Sequence, residues 1–177
     1  MTKQGLAFRR LAANEFELAY AIVSEAAAWL HGRHLPAWLV PPAIYHHRHM
    51  RGENYGLLID NEVCAVVSLT TYRPEAWRDY MPETGFVWLA SLAVQRRLKG
   101  QSLGHSLLAQ AEAFEQHQGI RSIYLDCYYS NGRLPDYYTR AGYRWLARRA
   151  LVFEDGSIHD SVLMRKMLTQ VWADKPV

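Results

Sequence analysis

An uninterrupted apolar run, Phe86 to Val94, leads through a cationic turn, Arg97-Leu98-Lys99-Gly100-Gln101-Ser102-Leu103-Gly104, into an amphipathic segment, Gly104 to Gln116. No other stretch limits the fold as tightly. The run reads as a buried strand. Leu103, Leu107, Leu108, Ala111 and Phe114 recur at helical spacing, so the segment reads as a helix with one apolar face. A flexible glycine turn at a helix start presents unpaired backbone N–H groups at the positive end of the helix dipole. Such a terminus attracts phosphate before any side chain is counted, and Arg96, Arg97 and Lys99 add three cations to it. The unit predicts a ligand with phosphates, held largely by main chain.

Three chemistries that use a strand, a glycine turn and a helix fit poorly. The P-loop string G-x-x-x-x-G-K-[ST] does not occur, and Gly100 and Gly104 do not fit G-x-G-x-x-G. Gly100-Gln101-Ser102-Leu103-Gly104 does match G-x-S-x-G, the nucleophile elbow of serine hydrolases, and Asp136 or Asp155, then His159, follow in the required order. An elbow needs a strand running straight into the serine. Here Gln95-Arg96-Arg97-Leu98-Lys99 intervenes and reads as a loop.

Arg97-x-x-Gly100-x-Ser102 resembles the acyl-CoA signature of the GNAT superfamily of N-acyltransferases, (Gln/Arg)-x-x-Gly-x-(Gly/Ala). Ser102 departs from the last position but is small enough for close backbone approach. A second segment, Asn131-Gly132-Arg133-Leu134-Pro135-Asp136-Tyr137-Tyr138-Thr139-Arg140-Ala141-Gly142-Tyr143, is similar to the family's Asn…Tyr-x-x-x-Gly-(Phe/Tyr) stretch in both spacings. The resemblance covers roughly Gly85 to Gly142. It implies a GNAT-like α/β fold: a mixed, mostly antiparallel central sheet flanked by helices, splayed beside the Phe86–Val94 strand to admit a pantetheine arm.

The flanking pattern agrees with one α/β domain over residues 1–177. Leu6 to Leu11 reads as a first strand, and Asn14 with Glu17 as a capping box opening a helix that Gly32 and Pro36 interrupt. A second helix covers Pro42 to Arg51. Tyr55 to Ile59 and Val63 to Thr70 are strands joined by Asp60-Asn61, a hairpin turn. Tyr72 to Gly85 is a loop. Ser122 to Tyr128 is a strand, Leu134 to Ala141 a helix with Gly142 as its cap, and Leu151-Val152-Phe153, a turn at Asp155-Gly156 and Ser161 to Met164 form a closing hairpin. Half the residues are hydrophobic (50%), enough for a sizeable core. No apolar run reaches the ~20 residues of a membrane span, and the N-terminus lacks a signal-peptide stretch. Cys64 and Cys127 sit in strand-like runs and read as buried thiols. A cytoplasmic protein is expected. Net charge is +3, which suits an anionic ligand without demanding nucleic acid, and with no long basic stripe for RNA nucleic acid is not the expected partner.

Individual side chains carry two readings each. By type, Tyr138 is a half-buried helix aromatic; by resemblance it serves the departing CoA thiolate. A phenol titrates near ~10 and a thiol near ~8.5, so full proton transfer is uphill by about 2 kcal/mol, and a hydrogen bond to developing thiolate is the safer role. Asn131 either caps the helix after it or touches cofactor, as the resemblance implies. His105 opens the phosphate-loop helix. His46, His47 and His49, with His31 and His34 upstream, form a polar helix face rather than a metal centre, since no carboxylate or cysteine completes a site. Trp29, Trp38, Trp77 and Tyr80 line an acceptor pocket or pack in the core. The central strand holds no acid. Glu83 precedes it and Asp126 lies on the neighbouring strand, and neither is selected as general base.

The expected activity is N-acetyl transfer from acetyl-CoA, a co-substrate, to a primary amine by direct attack in a ternary complex without metal. A small-molecule amine is favoured because no long basic stripe exists for RNA, and a peptide N-terminus, a protein lysine and an aminoacyl-tRNA stay open as acceptors. Tyr138 is the catalytic candidate. The cofactor set that the resemblance implies is Leu92, Val94, Arg97, Lys99, Gly100, Gln101, Ser102, Leu103, Gly104, His105 and Asn131. Leu92 and Val94 would offer main chain to pantetheine, and residues 100–104 backbone N–H groups to diphosphate. A serine hydrolase built on Ser102 and a non-catalytic CoA-binding module are the alternatives. A homodimer is left open.

Overall fold

A computed structural model describes residues 5–152 and 156–168. Phe153 and Asp155 of the expected closing hairpin lie outside the described residues, as do residues 1–4. Seven strands form one sheet in the order β1-β2-β3-β4-β5-β7-β6. They are β1 (Leu6–Arg10), β2 (Asn54–Ile59), β3 (Glu62–Thr70), β4 (Phe86–Val94), β5 (Ser122–Tyr128), β6 (Arg144–Val152) and β7 (Ile158–Met167). Every neighbouring pair is antiparallel except β4 and β5. The helices are α1 (Phe16–His31), α2 (Pro42–Met50), α3 (Leu103–His117) and α4 (Arg133–Arg140). The mixed, mostly antiparallel α/β architecture is the one expected.

Local chemistry explains most of the boundaries. Asp60 and Asn61 both take positive φ, 50° and 68°, the conformation a two-residue hairpin demands and their short polar side chains tolerate. Helix α1 departs from expectation at its start. Asn14 lies within a short 3-10 turn, Ala13–Glu15, and the Glu15 carboxylate accepts the Ala12 N–H at 2.6 Å. The capping acid therefore lies two residues before the expected one. The Tyr72–Gly85 loop contains a second 3-10 segment, Glu75–Tyr80, whose Trp77 is fully buried. Strand β6 begins seven residues earlier than read, at Arg144 rather than Leu151. It is an edge strand, largely exposed, and its arginines break the alternation that marks a strand.

One face of the sheet packs Leu57, Leu89, Ile123 and Leu125 against α3 and α4. The opposite face packs Val66 and Ala93 under α1 and α2, with a separate cluster of Trp77, Trp88, Tyr124 and Leu163 further along. Within the described residues no helix is long and apolar enough to cross a membrane. Cys64 and Cys127 are free and buried.

Glu115 breaks the apolar face of α3. It is 7% exposed, and burial pushes its carboxyl up to about 7. The folded pKa lies above the unfolded value of about 4.3, so the folded chain holds that proton more tightly. Stability from this site is fully present below the unfolded pKa and is lost as pH rises through about 7. Glu115→Gln is expected to remove the slope and to raise stability at pH 8 by about 2 kcal/mol. Urea unfolding of both proteins at pH 5 and pH 8 checks this: equal differences at the two pH values would contradict it.

Candidate active site

The parallel seam between β4 and β5 is short. Phe86, Val87 and Trp88 pair with Ser122, Ile123 and Tyr124, and pairing stops there. Beyond it, β5 continues along β7 to Tyr128 while β4 continues along β3 to Val94. The two strands diverge into a wedge. A bulge in β4 accompanies it: Ser68 faces Ala90 but Val66 faces Ala93, and Ser91 takes φ 52°. After the bulge, the Gln95 N–H donates to Cys64 O on the β3 side at 2.9 Å. Alternation along an extended strand then turns the main-chain groups of Val94, and of Leu92 two residues earlier, towards the wedge. Among the described residues no strand pairs with them there.

A cavity of about 380 Å³ fills the wedge. Residues 88–93 of β4 form one wall, and Asp126, Cys127 and Tyr128 of β5 another. Leu134 and Tyr138 reach it from α4, Val23, Ala27 and Leu30 from α1, and Arg48 from α2. Tyr138 is 8% exposed and makes no hydrogen bond to the described residues, so its hydroxyl is free for whatever enters. Its ring packs edge-on to Tyr137 and Tyr143 at 5.2 and 5.8 Å. Burial, then neighbouring Cys127, Tyr137 and Asp126, hold its phenol well above the ordinary value. It is a neutral donor throughout the working pH range.

Asp126 is the carboxylate that the sequence did not single out. Its side chain is exposed into the open wedge, and the protein packed around that wedge limits the bulk water that can solvate its charge. Burial raises its carboxyl above the usual range, opposed by the hydrogen bond from Trp77 Nε1 at 2.9 Å. Forty-nine residues separate the two partners. A carboxyl of raised pKa beside a neutral phenol in one cavity supplies a proton acceptor and a proton donor together. Glu83 is exposed and does not line the cavity. Cys127 does line it, but burial and the Asp126 charge push its thiol up to about 12. It is protonated, and so a poor nucleophile.

The glycine turn lies between the end of β4 and α3. A 3-10 turn spans Arg96–Leu98, Gly100 takes φ 82°, and Ser102 is the left-handed N-cap of α3. No side chain caps that helix, and its first hydrogen bond runs from the Ser106 N–H to Ser102 O at 3.1 Å. The N–H groups of Leu103, Gly104 and His105 therefore precede any helical acceptor. A Cβ at Gly100 would meet nothing within 4 Å, so open space fronts that backbone. At Gly104 a Cβ would lie 2.5 Å from the Tyr137 hydroxyl, so that glycine admits the α4 ring. Gln101 and Lys99 are exposed, and Lys99 has no ion pair among the described residues. Arg97 is tied back to Gln95 at 2.8 Å and Glu62 at 3.3 Å. Arg96 stacks on Trp29 at 3.9 Å. His105 is exposed at the start of α3, with its ring tilted over Tyr137 at 4.4 Å. Asn131 is 3% exposed, ahead of the N-cap Gly132, and its carbonyl accepts the Leu134 N–H at 2.8 Å.

The remaining candidates separate. Trp38 lines the cavity and Trp77 holds Asp126, whereas Trp29 lies between Arg33 and Arg96 and Tyr80 is 40% exposed. The histidines scatter. His49 is buried with Nε2 on Ala12 O at 2.9 Å, His31 meets Ala37 O, and His46 packs edge-on to Phe16. The polar face expected of them is thus partly interior. Ser102 is no elbow: β4 ends at Val94, and His159 contacts Ser157 and Tyr128.

The model of the acetyltransferase (GNAT) family matches residues 20–143. The uncharacterized N-acetyltransferase YesJ of Bacillus subtilis (strain 168) is 34% identical over 94 residues. That match spans about half of each chain, 51% of this one and 52% of YesJ. The fold is shared with the ribosomal-protein-S18-alanine N-acetyltransferase of Escherichia coli, at TM-score 0.70 and 17% identity over 98% of this chain and 100% of that one. It is shared also with yncA of Salmonella typhimurium, solved with its cofactor acetyl-CoA, at TM-score 0.66 and 17% identity over 97% and 99%. A family match across both motifs, on a sheet splayed beside β4, leads to one conclusion: this chain belongs to the acetyltransferase (GNAT) family.

Proposed function

We propose that the chain moves the acetyl group of acetyl-CoA to a primary amine of a small molecule, by direct attack in a ternary complex. The observation that carries this reading is the wedge, which brings Asp126, Tyr138 and unpaired β4 main chain to one cavity. Backbone N–H groups of residues 100–105 would hold the diphosphate, with Lys99 nearby as a cation that makes no ion pair among the described residues. Leu92 and Val94 would bond the pantetheine arm as a neighbouring strand does. Asp126, directly or through water, takes a proton from the acceptor ammonium and frees its lone pair. The amine nitrogen bonds to the acetyl carbon as the carbon–sulfur bond breaks. Tyr138 donates a hydrogen bond to the leaving sulfur, which ends as thiol. Overall one proton passes to solvent. The protonated Cys127 argues against an acyl-enzyme route. Two buried free thiols support a cytoplasmic setting.

Calorimetry with acetyl-CoA tests the assignment. Saturable binding is expected, with none for NAD or ATP. Gly100→Val puts a branched side chain in the open space before the turn at φ 82°. It is expected to weaken acetyl-CoA about tenfold, through blocked approach and backbone strain of about 1–2 kcal/mol. Unchanged affinity would remove the turn from the binding site.

A further inference from the structure

Arg48 of α2 stands where two cavities adjoin. It lines the wedge and also a second cavity of about 520 Å³, whose other residues include His47, Arg51, Glu53 and Thr70. The two cavities share Trp38, Arg48 and Tyr72. The Arg48 side chain is nearly enclosed, at 9% exposed. Its Nη1 is fully buried with no hydrogen-bond partner, and the guanidinium makes no ion pair among the described residues. The available acid is taken: Glu53 binds Arg51 at 2.8 Å. Arg48 is therefore a nearly enclosed cation with no contact ion pair among the described residues: Glu53 acts on it only from a distance, and burial, the larger effect, lowers its pKa. Such a cation is costly unless something closer supplies an anion.

The two charges in the wedge are complementary to a zwitterion. Asp126 suits an ammonium, and the part of the Arg48 guanidinium that lines the cavity suits a carboxylate. Val23, Ala27 and Leu30 of α1 line the same cavity and offer apolar surface to a hydrocarbon body. We propose that the acceptor is a small amino carboxylic acid, its carboxylate bound by Arg48 while its amine is presented to Asp126. A single guanidinium matches a monoanion; a phosphate dianion calls for further donors. The proposal names the acceptor class of the reaction proposed above and rests on that reading.

Thiol release from acetyl-CoA, measured with glycine, methionine and 4-aminobutyrate, each beside its amide, tests it. The best acid is expected to exceed its amide about 30-fold in kcat/KM, chiefly through KM. Arg48→Met should bring that ratio near one, and Arg48→Lys should retain part of it. Arg48→Met should also melt no lower than the wild type without ligand, because it removes an unpaired buried charge. Should no amine turn over, calorimetry of methionine against methioninamide into the CoA-loaded protein decides: binding of the acid alone, lost in Arg48→Met, supports the proposal. Acids no better than amides in turnover or binding overturn it. So does a higher kcat/KM for phosphoethanolamine than for any acid, or a marked fall in the melting temperature of Arg48→Met. Failure of acetyl-CoA itself to bind would strike the acetyl-transfer reading. Acetyl-CoA binding with amides used as well as acids would strike only the acceptor class.

Discussion

Asp126→Asn is expected to lower kcat by about 10²–10³-fold while leaving acetyl-CoA affinity within a factor of two or so. The substitution is nearly isosteric, and an asparagine oxygen still accepts the Trp77 N–H that holds the carboxylate at 2.9 Å. What it loses is the ability to take a proton. The pH dependence provides the sharper signature. A base works only when ionised, so the wild-type rate falls as pH drops through a pKa that burial has raised above the ordinary carboxylate range. That acidic limb should vanish in the variant. A variant with wild-type turnover would assign the proton to bulk water or to a group outside the wedge. A variant that loses acetyl-CoA binding would make Asp126 a structural ligand of the cavity.

Tyr138→Phe should cost about 10- to 100-fold in kcat, with little change in acetyl-CoA affinity or melting temperature. The hydroxyl has no hydrogen-bond partner among the described residues, so its removal breaks nothing internal, and the ring keeps its contacts with Tyr137 and Tyr143. The elevated phenol pKa limits the effect. Tyr138 is a weak acid held neutral, better suited to a hydrogen bond on developing thiolate than to complete proton transfer. Single-turnover rates measured with the acceptor saturating separate this step from binding and release. Equality with wild type would make Tyr138 a packing residue, and a loss confined to acetyl-CoA affinity would make it a cofactor contact.

Local signals were readable in this sequence, and juxtapositions across the sheet were not. The bounds of β4 and β5 follow from runs buried on both faces, and the hairpin at Asp60-Asn61 follows from turn chemistry. The spacing of the second motif carries Tyr138 to the wedge. Asp126 was visible only as a charge in an apolar strand. Its importance arises because β4 leaves β5 two residues before it and Trp77 arrives from a distant 3-10 turn. Arg48 was hidden in a histidine-rich helix whose pattern drew attention to imidazoles, and its burial depends on β3 and on Tyr72. Gly104 shows the converse: a glycine read for close approach to phosphate also clears room for Tyr137. Strand β6 is hard to read because an edge strand buries its inner side only in part, at Leu146, Ala147 and Leu151, and Arg148-Arg149 interrupts the period.

Three residue pairs join the halves of the sheet. Past them, residues 89–94 present on one side a strand edge that the fold itself leaves open. Unsatisfied edges are where foreign strands add and aggregates begin. On the proposed reading, the pantetheine arm closes that edge, acting as a removable eighth strand. The cofactor then protects the protein as well as reacting on it, and its protection grows with the logarithm of its concentration above Kd. A cell depleted of acetyl-CoA would therefore lose catalyst as well as substrate, because the empty enzyme is the form exposed to aggregation and proteolysis.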